Sequence, residues 1–365
     1  MIRKLVLATL SLAIVCALAE ATLRATHLFN ARVAWTQPDA MVGWRFTPGR
    51  EYWFHGENDH PVTGRINAMG WRDRERERAK PHGDRRVAVL GDSFVEAFQV
   101  ELDSTFTAIA ERVLNADGAG PRCEVMNFGR SGMSPAEELL VLEGSVLACD
   151  PDAVVLVFTP QNDVADVDPA TAADRNRPFF RLAAEDSLLL DAGFAARRGF
   201  RVRERINPIK QRSALVSLVT ERYNVWRQTR TATAPAGARA LTGEQTLCTS
   251  SANATFSRNY TLCKALIARM AGVCSARGVD FLLMSVPIAS EPDALAAARA
   301  LDPSFDPEFF DRDLGALADS LGARFVPLTA AFRAQSAASG ERLFWVHWNY
   351  AGHRTVARAL VEALR

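Results

Sequence analysis

Four residues of this 365-residue chain could carry out acyl-transfer chemistry, and each follows an apolar run or a turn beside one. Ser93 ends the stretch Val87-Ala88-Val89-Leu90-Gly91-Asp92-Ser93. A serine hydroxyl becomes a good nucleophile only when a base takes its proton, and the tetrahedral intermediate then needs hydrogen-bond donors at its oxyanion. His347, in Phe344-Trp345-Val346-His347-Trp348-Asn349, is the candidate base. His353 falls at the start of a closing helix, where the dipole disfavours an imidazolium. His27, His55, His60 and His82 lie in loop-like sequence near the N-terminus. Gly129, in Met126-Asn127-Phe128-Gly129-Arg130-Ser131-Gly132, allows close backbone approach and could aim its N–H at an oxyanion. Asn162, in Thr159-Pro160-Gln161-Asn162-Asp163, could add a side-chain N–H, with the Ser93 N–H as a third donor. Glycine and asparagine are also ordinary turn formers, so neither identifies a site alone.

The elements that must position these residues alternate in kind. Apolar runs at 87–90, 124–127, 153–158, 279–286 and 324–328 read as strands. A plausible helix at 96–114 leads off the first strand, helical stretches are counted at 104–115, 134–147, 262–276 and 311–321, and a closing helix spans 354–364. Such alternation implies a parallel, doubly wound α/β sheet, whose strand carboxyl ends are where ligands bind. Residues 25–84, rich in aromatics, glycine and charge, read as an N-terminal extension of short strands and turns over the main domain at 85–365. The charged run 72–78 within it reads as a solvated face. Residues 164–262 are too many for a structureless connection and read as a partly helical insertion. It is basic: positions 174–240 hold fourteen Lys/Arg against six Asp/Glu. Its surface is simply solvated, or it attracts an anionic polysaccharide or membrane headgroups. A small-residue run at 231–237 reads as a mobile loop.

The net charge of +1 gives no reason to expect nucleic acid as a partner. Arg3 and Lys4 precede a 5–19 apolar run, and Ala17-Leu18-Ala19 resembles a cleavage site. Residues 1–24 therefore read as a signal peptide or an uncleaved signal anchor; either sends the body of the chain outward, and the anchor would also make the membrane a partner through this segment. Of the five cysteines beyond that segment, Cys248 and Cys263 are the candidate disulfide pair.

Taken in order, the blocks around Ser93, Gly129, Asn162 and His347 resemble the SGNH (GDSL-type) hydrolases, which carry Ser, Gly, Asn and His in four such blocks. The resemblance runs from about Gly43 to the C-terminus and includes Gly43-Trp44-Arg45 and Arg65-Ile66-Asn67-Ala68-Met69-Gly70-Trp71-Arg72. His347-Trp348-Asn349-Tyr350-Ala351-Gly352-His353 is similar to exported relatives that handle O-acetyl groups on polysaccharides. The resemblance implies a flavodoxin-like three-layer α/β/α sandwich with a five-stranded parallel sheet, and a periplasmic or membrane-anchored protein. Two departures stand out. Pro160 replaces the glycine that opens the third block, and Trp345 and Phe344 occupy the places of the family's aspartate. Glu341, Asp163 and Asp166 are carboxylates that could orient His347, and none is favoured over a Ser–His dyad.

The activity so implied is that of an exported serine esterase, in particular a carbohydrate O-acetyl esterase. Ser93 attacks, His347 transfers the proton, and the Ser93 and Gly129 N–H groups with the Asn162 side chain hold the oxyanion. It needs no cofactor or metal, and its substrate is an acylated small molecule or polysaccharide. The alternatives are an O-acyltransferase using the same site, and a degenerate, non-catalytic glycan-binding protein.

Overall fold

The computed structural model describes residues 1–26, 34–118, 120–183, 187–231, 240–288 and 291–365, with the side chains of 227–231 excepted. His27 and the small-residue positions 232–237 lie outside them.

The first helix, α1 (Ile2–Thr26), runs on past Glu20 and Arg24 as one continuous rod. Its most apolar window has a mean hydropathy of 2.1 and none of it is buried. The extension follows as two antiparallel hairpins: β1 (Thr36–Asp39) with β2 (Gly43–Phe46), and β3 (Glu51–Phe54) with β4 (Val62–Arg65). Trp35, Phe46, Tyr52, Val62 and Ile66 close their own small core on Phe98, which comes from the segment just after Ser93. The extension is thereby packed against the part of the chain that carries the nucleophile.

The main domain begins at β5 (Arg85–Gly91), followed by a single turn α2 (Ser93–Glu96), α3 (Phe106–Leu114), β6 (Cys123–Gly129) and α4 (Pro135–Val141). Next come β7 (Ala153–Phe158), α5 (Pro160–Asp166), the hairpin β8 (Phe179–Leu182) and β9 (Leu188–Asp191), α6 (Arg198–Arg212) and α7 (Ala214–Thr231). The chain closes with α8 (Ala254–Ser275), β10 (Asp280–Ser285), α9 (Pro292–Leu301), α10 (Phe309–Ser320), β11 (Arg324–Val326), α11 (Thr329–Ser339) and α12 (Tyr350–Leu364). The central sheet has the order β6-β5-β7-β10-β11 and every pairing in it is parallel. That is the flavodoxin-like arrangement, in which the first strand is flanked by the second and third.

Strand alternation sorts the sheet residues between two faces. Ala88, Leu90, Val154, Leu156, Phe158 and Leu283 pack with α4, α8 and α10. Val87, Val89, Val155, Val157, Leu282 and Met284 pack with α3, α11 and α12. The result is a three-layer α/β/α sandwich.

Three expectations need correction. The helix read over 96–114 is interrupted: Ala97 takes a left-handed φ of 56°, and the helix restarts at Phe106 with Thr105 as its cap. The charged run 72–78 is a solvated face only in part: Glu75, Glu77 and Arg78 are exposed, but Arg72 is fully buried and Asp73 nearly so. The Arg72 guanidinium donates to Tyr52 Oη at 2.9 Å and to the Glu96, Ala97 and Val100 carbonyls, while Arg76 pairs with Asp73 and Glu111. Burial of these charges is tolerated because their donors are matched by carbonyls and carboxylates. Cys248 and Cys263 form no disulfide; both are free, buried thiols. Cys263 faces the sheet from α8, where its Sγ meets the Asp163 carbonyl at 3.6 Å.

Candidate active site

Ser93 lies where β5 turns into α2, and Asp92 makes that turn. Asp92 is fully buried, and its Oδ1 accepts from Phe94 N at 3.0 Å and from Thr159 Oγ1 at 2.9 Å. Its Oδ2 accepts a short hydrogen bond from Asn162 Nδ2. Burial raises the Asp92 carboxyl above the ordinary value, and these hydrogen bonds oppose the rise. Asp92 thus holds the serine turn and ties it to the end of β7. The Ser93 N–H belongs to the first position of α2, where backbone N–H groups have no acceptor within the helix.

His347 reaches Ser93 across the carboxyl edge of the sheet, with its Nε2 2.7 Å from Ser93 Oγ. Its loop is fixed by a Phe344–Trp348 bridge, by Trp345 N donating to the His347 carbonyl at 2.8 Å, and by Asn349 N donating to the Leu343 carbonyl at 3.0 Å. Asn349 then caps α12, its Oδ1 accepting from Ala351 N and Gly352 N. A Cβ on Gly352 would lie 2.4 Å from the Leu343 carbonyl oxygen, which explains a glycine there. Phe94 packs its ring against the His347 imidazole at a centroid distance of 4.8 Å. His353 is enclosed between Phe106 and Trp348, and its Nδ1 accepts from Phe106 N at 3.3 Å. Burial drops its pKa to about 3, so it stays neutral and serves the core.

The carboxylate behind His347 comes from the N-terminal extension. Glu57, in the loop between β3 and β4, places Oε1 2.5 Å from His347 Nδ1. Its Oε2 accepts from the backbone N–H groups of His347 at 2.7 Å and Val346 at 2.9 Å. Burial acts to raise the Glu57 pKa, but the hydrogen bonds from His347 and Val346 outweigh it and hold the carboxyl below its usual value. The loop is pinned beside it: Asn58 Nδ2 donates to the Gln99 carbonyl and to Tyr350 Oη, and His60 Nε2 lies 2.8 Å from Glu101. The three carboxylates considered from sequence are engaged elsewhere or exposed. Asp163 accepts from Thr159 N, Asp166 pairs with Arg177, and Glu341 is exposed.

The sequence-derived set divides. Ser93, His347 and Asn162 converge. Pro160 starts α5, a position that suits a residue without an N–H. Gly129 lies beside the group with a different task. Its N–H donates to Asn127 Oδ1 at 2.8 Å, so it is not directed at an oxyanion. A Cβ there would stand 2.3 Å from Glu96 N and 2.5 Å from the Val95 carbonyl carbon, so the glycine permits close packing of β6 on α2. Gly132, with φ +67° and open space around it, forms the outer side of the same turn. Glu96 secures that turn by accepting from Ser131 N at 3.0 Å.

No family model matches the chain, and no curated protein matches it. Solved structures similar to it include an acetyl xylan esterase (15% identity, TM-score 0.43, covering 77% of this chain and 100% of that one). An acetylxylan esterase of Geobacillus stearothermophilus shares 14% identity at a TM-score of 0.42, covering 77% of this chain and 94% of its own. A GDSL-like lipase of Bacteroides thetaiotaomicron shares 14% at 0.37, covering 77% and 87%. The five-stranded parallel sheet and the line of Ser93, His347 and Glu57 at its carboxyl edge are features of this chain itself.

Proposed function

We propose that this protein is an exported, membrane-anchored serine esterase of the SGNH type that removes acetyl groups from a carbohydrate. The observation that supports it best is the connected line Glu57 Oε1–His347 Nδ1 (2.5 Å), His347 Nε2–Ser93 Oγ (2.7 Å). Glu57 fixes the tautomer with a proton on Nδ1, leaving Nε2 free to accept the serine proton. Ser93 Oγ then bonds to the ester carbonyl carbon, and the imidazolium, paired with Glu57, gives its proton to the departing sugar alcohol. Water repeats the sequence on the acyl-enzyme, releasing the acid and restoring Ser93. The Ser93 N–H and the second Asn162 Nδ2 hydrogen stabilise the oxyanion, while the first holds Asp92. No step calls for a metal or cofactor.

Acyl size is suggested by access: Ser93 is only 7% exposed, which favours an acetyl over a long acyl chain. A sugar alcohol is suggested by Trp345, exposed two positions from His347, whose ring offers a stacking face. Anchoring is supported by α1, long and apolar enough to cross a bilayer. The test is acetate release from acetylated xylo-oligosaccharides by the full chain. Ser93→Ala is expected to abolish it, and full activity in that variant overturns the reading. Transfer of acetyl to an added glycan in place of acetate release would instead identify an acyltransferase.

A further inference from the structure

Both helices of the basic insertion present an apolar stripe to the outside. On α6, Val202, Ile206 and Ile209 are exposed; on α7, Val219, Tyr223 and Trp226 are, all between 38% and 61%. Each set follows the i, i+4, i+7 spacing of a single helix face. Arg198, Arg201, Arg205, Arg212 and Arg222, all exposed, are interleaved with the stripes. Aliphatic and aromatic residues in line, flanked by arginines, make the pattern of a helix that lies in a membrane interface.

The location of these helices supplies the second observation. Glu20 of α1 accepts from Ser213 Oγ at 2.9 Å, Ala214 N at 3.0 Å and Leu215 N at 2.9 Å, and so caps α7. Arg24 of α1 donates to the Arg212 carbonyl at the end of α6. The end of α1 is therefore fastened to the corner between α6 and α7. Counted from Leu5, the α1 residues up to Arg24 rise roughly 30 Å at ~1.5 Å per residue, the thickness of a hydrocarbon core. A span that starts beside Arg3 and Lys4 therefore brings Arg24, with Glu20 one turn before it, to the far interface, which holds this corner at the headgroups. From the corner, the α7 stripe reaches no more than ~18 Å along its helix.

We infer that the α6–α7 pair is a second membrane contact, its apolar stripes seated in the interface of an anionic bilayer next to the exit of α1 and its arginines on lipid phosphates. The inference rests on α1 spanning the membrane as an anchor. A soluble anionic polysaccharide would satisfy the arginines but leave both stripes in water. Tyr223 and Trp226 suit the boundary between acyl chains and headgroups, and the arginines suit its anionic surface.

The native cysteines allow the two contacts to be read apart. Cys16 is exposed on α1, whereas Cys123, Cys149, Cys248, Cys263 and Cys274 are buried. The full chain is labelled with bimane maleimide in detergent, either at Cys16 or, in a Cys16→Ser background, at Ile206→Cys, Tyr223→Cys or the reference Asp319→Cys on α10. It is then placed in phosphatidylcholine–phosphatidylglycerol nanodiscs carrying doxyl lipids. The expected result is quenching at 16, 206 and 223 several-fold greater than at 319. Combining Arg198→Gln, Arg201→Gln and Arg205→Gln should reduce quenching at 206 and 223 severalfold while leaving 16 unchanged. Quenching at 16 with none at 206 and 223 overturns this inference alone, and absence at all positions overturns the anchor as well. A bimane response at 223 to soluble heparin but not to lipid also overturns it, in favour of a polysaccharide surface.

Discussion

Replacing Glu57 with Gln tests the role of the N-terminal extension in catalysis. Glu57 accepts three hydrogen bonds, one from His347 Nδ1 and two from backbone N–H groups. A Gln side chain cannot accept all three. If its carbonyl turns to Nδ1, its NH2 faces the two backbone donors and both bonds are lost. If the carbonyl keeps the backbone donors, its NH2 meets Nδ1, and the ring proton must move to Nε2. The second arrangement loses less, and in it Nε2 points a proton at Ser93 Oγ and cannot act as a base. The Glu57 and His347 side chains are only 18% and 21% exposed, so solvent replaces little of the lost carboxylate. The corresponding Asp→Asn exchange in a serine-protease triad costs about 10⁴-fold in kcat. We expect Glu57→Gln to lower kcat for 4-nitrophenyl acetate by ~10³–10⁴-fold, or about 4–5.5 kcal/mol of transition-state stabilisation, with KM little changed. The assay is steady-state hydrolysis, with thermal unfolding as the control for folding. A Glu57→Gln protein that folds normally and keeps kcat within a few-fold of the parent would refute the reasoning and leave His347 oriented by its loop alone.

Three further outcomes follow from the same geometry. Asn162→Ala removes an oxyanion donor and a partner of Asp92, and should lower kcat by ~10²–10³-fold in the same assay. Gly129→Ala forces a Cβ into the Val95–Glu96 backbone at 2.3–2.5 Å, and should destabilise the fold by about 3 kcal/mol or more in denaturant unfolding. His353, with a folded pKa near 3 against 6.5 unfolded, binds its proton only when the chain unfolds. Its contribution is intact above pH 6.5 and is lost as pH falls from there towards 3, roughly 2–3 kcal/mol by pH 4.5, and His353→Gln should flatten that limb of the stability–pH curve.

The residues that were legible in the sequence share one property: each follows a local pattern that fixes its position. Ser93 and Asn162 follow apolar strands, which strand order brings to one edge, and His347 precedes an asparagine-capped closing helix. Glu57 has no such pattern. It belongs to a hairpin loop 290 positions from His347, and the packing of Trp35, Phe46 and Tyr52 on Phe98, with the Asn58 hydrogen bonds, brings it into place. Gly56-Glu57-Asn58-Asp59-His60 did contain a signal, a carboxylate in a polar loop after an aromatic-rich strand, but nothing local says what it faces. The charged run beginning at Arg72 misled for a related reason. Alternating charges look solvated unless the carbonyls that receive them are known, and those of Glu96, Ala97 and Val100 are exposed to Arg72 only because Ala97 breaks the helix. Cys248 and Cys263 lie close in sequence, yet packing on the sheet directs Cys263 to the interior and away from any bridge.

The central claim is that His347, held by Glu57, makes Ser93 a nucleophile. Its most direct test is reaction of the full chain with a fluorophosphonate, followed by intact mass and peptide mapping. One adduct is expected, on Ser93, absent in Ser93→Ala and formed about 10³-fold or more slowly in His347→Ala. An unmodified Ser93 in folded protein, or an equally fast reaction without His347, would contradict it.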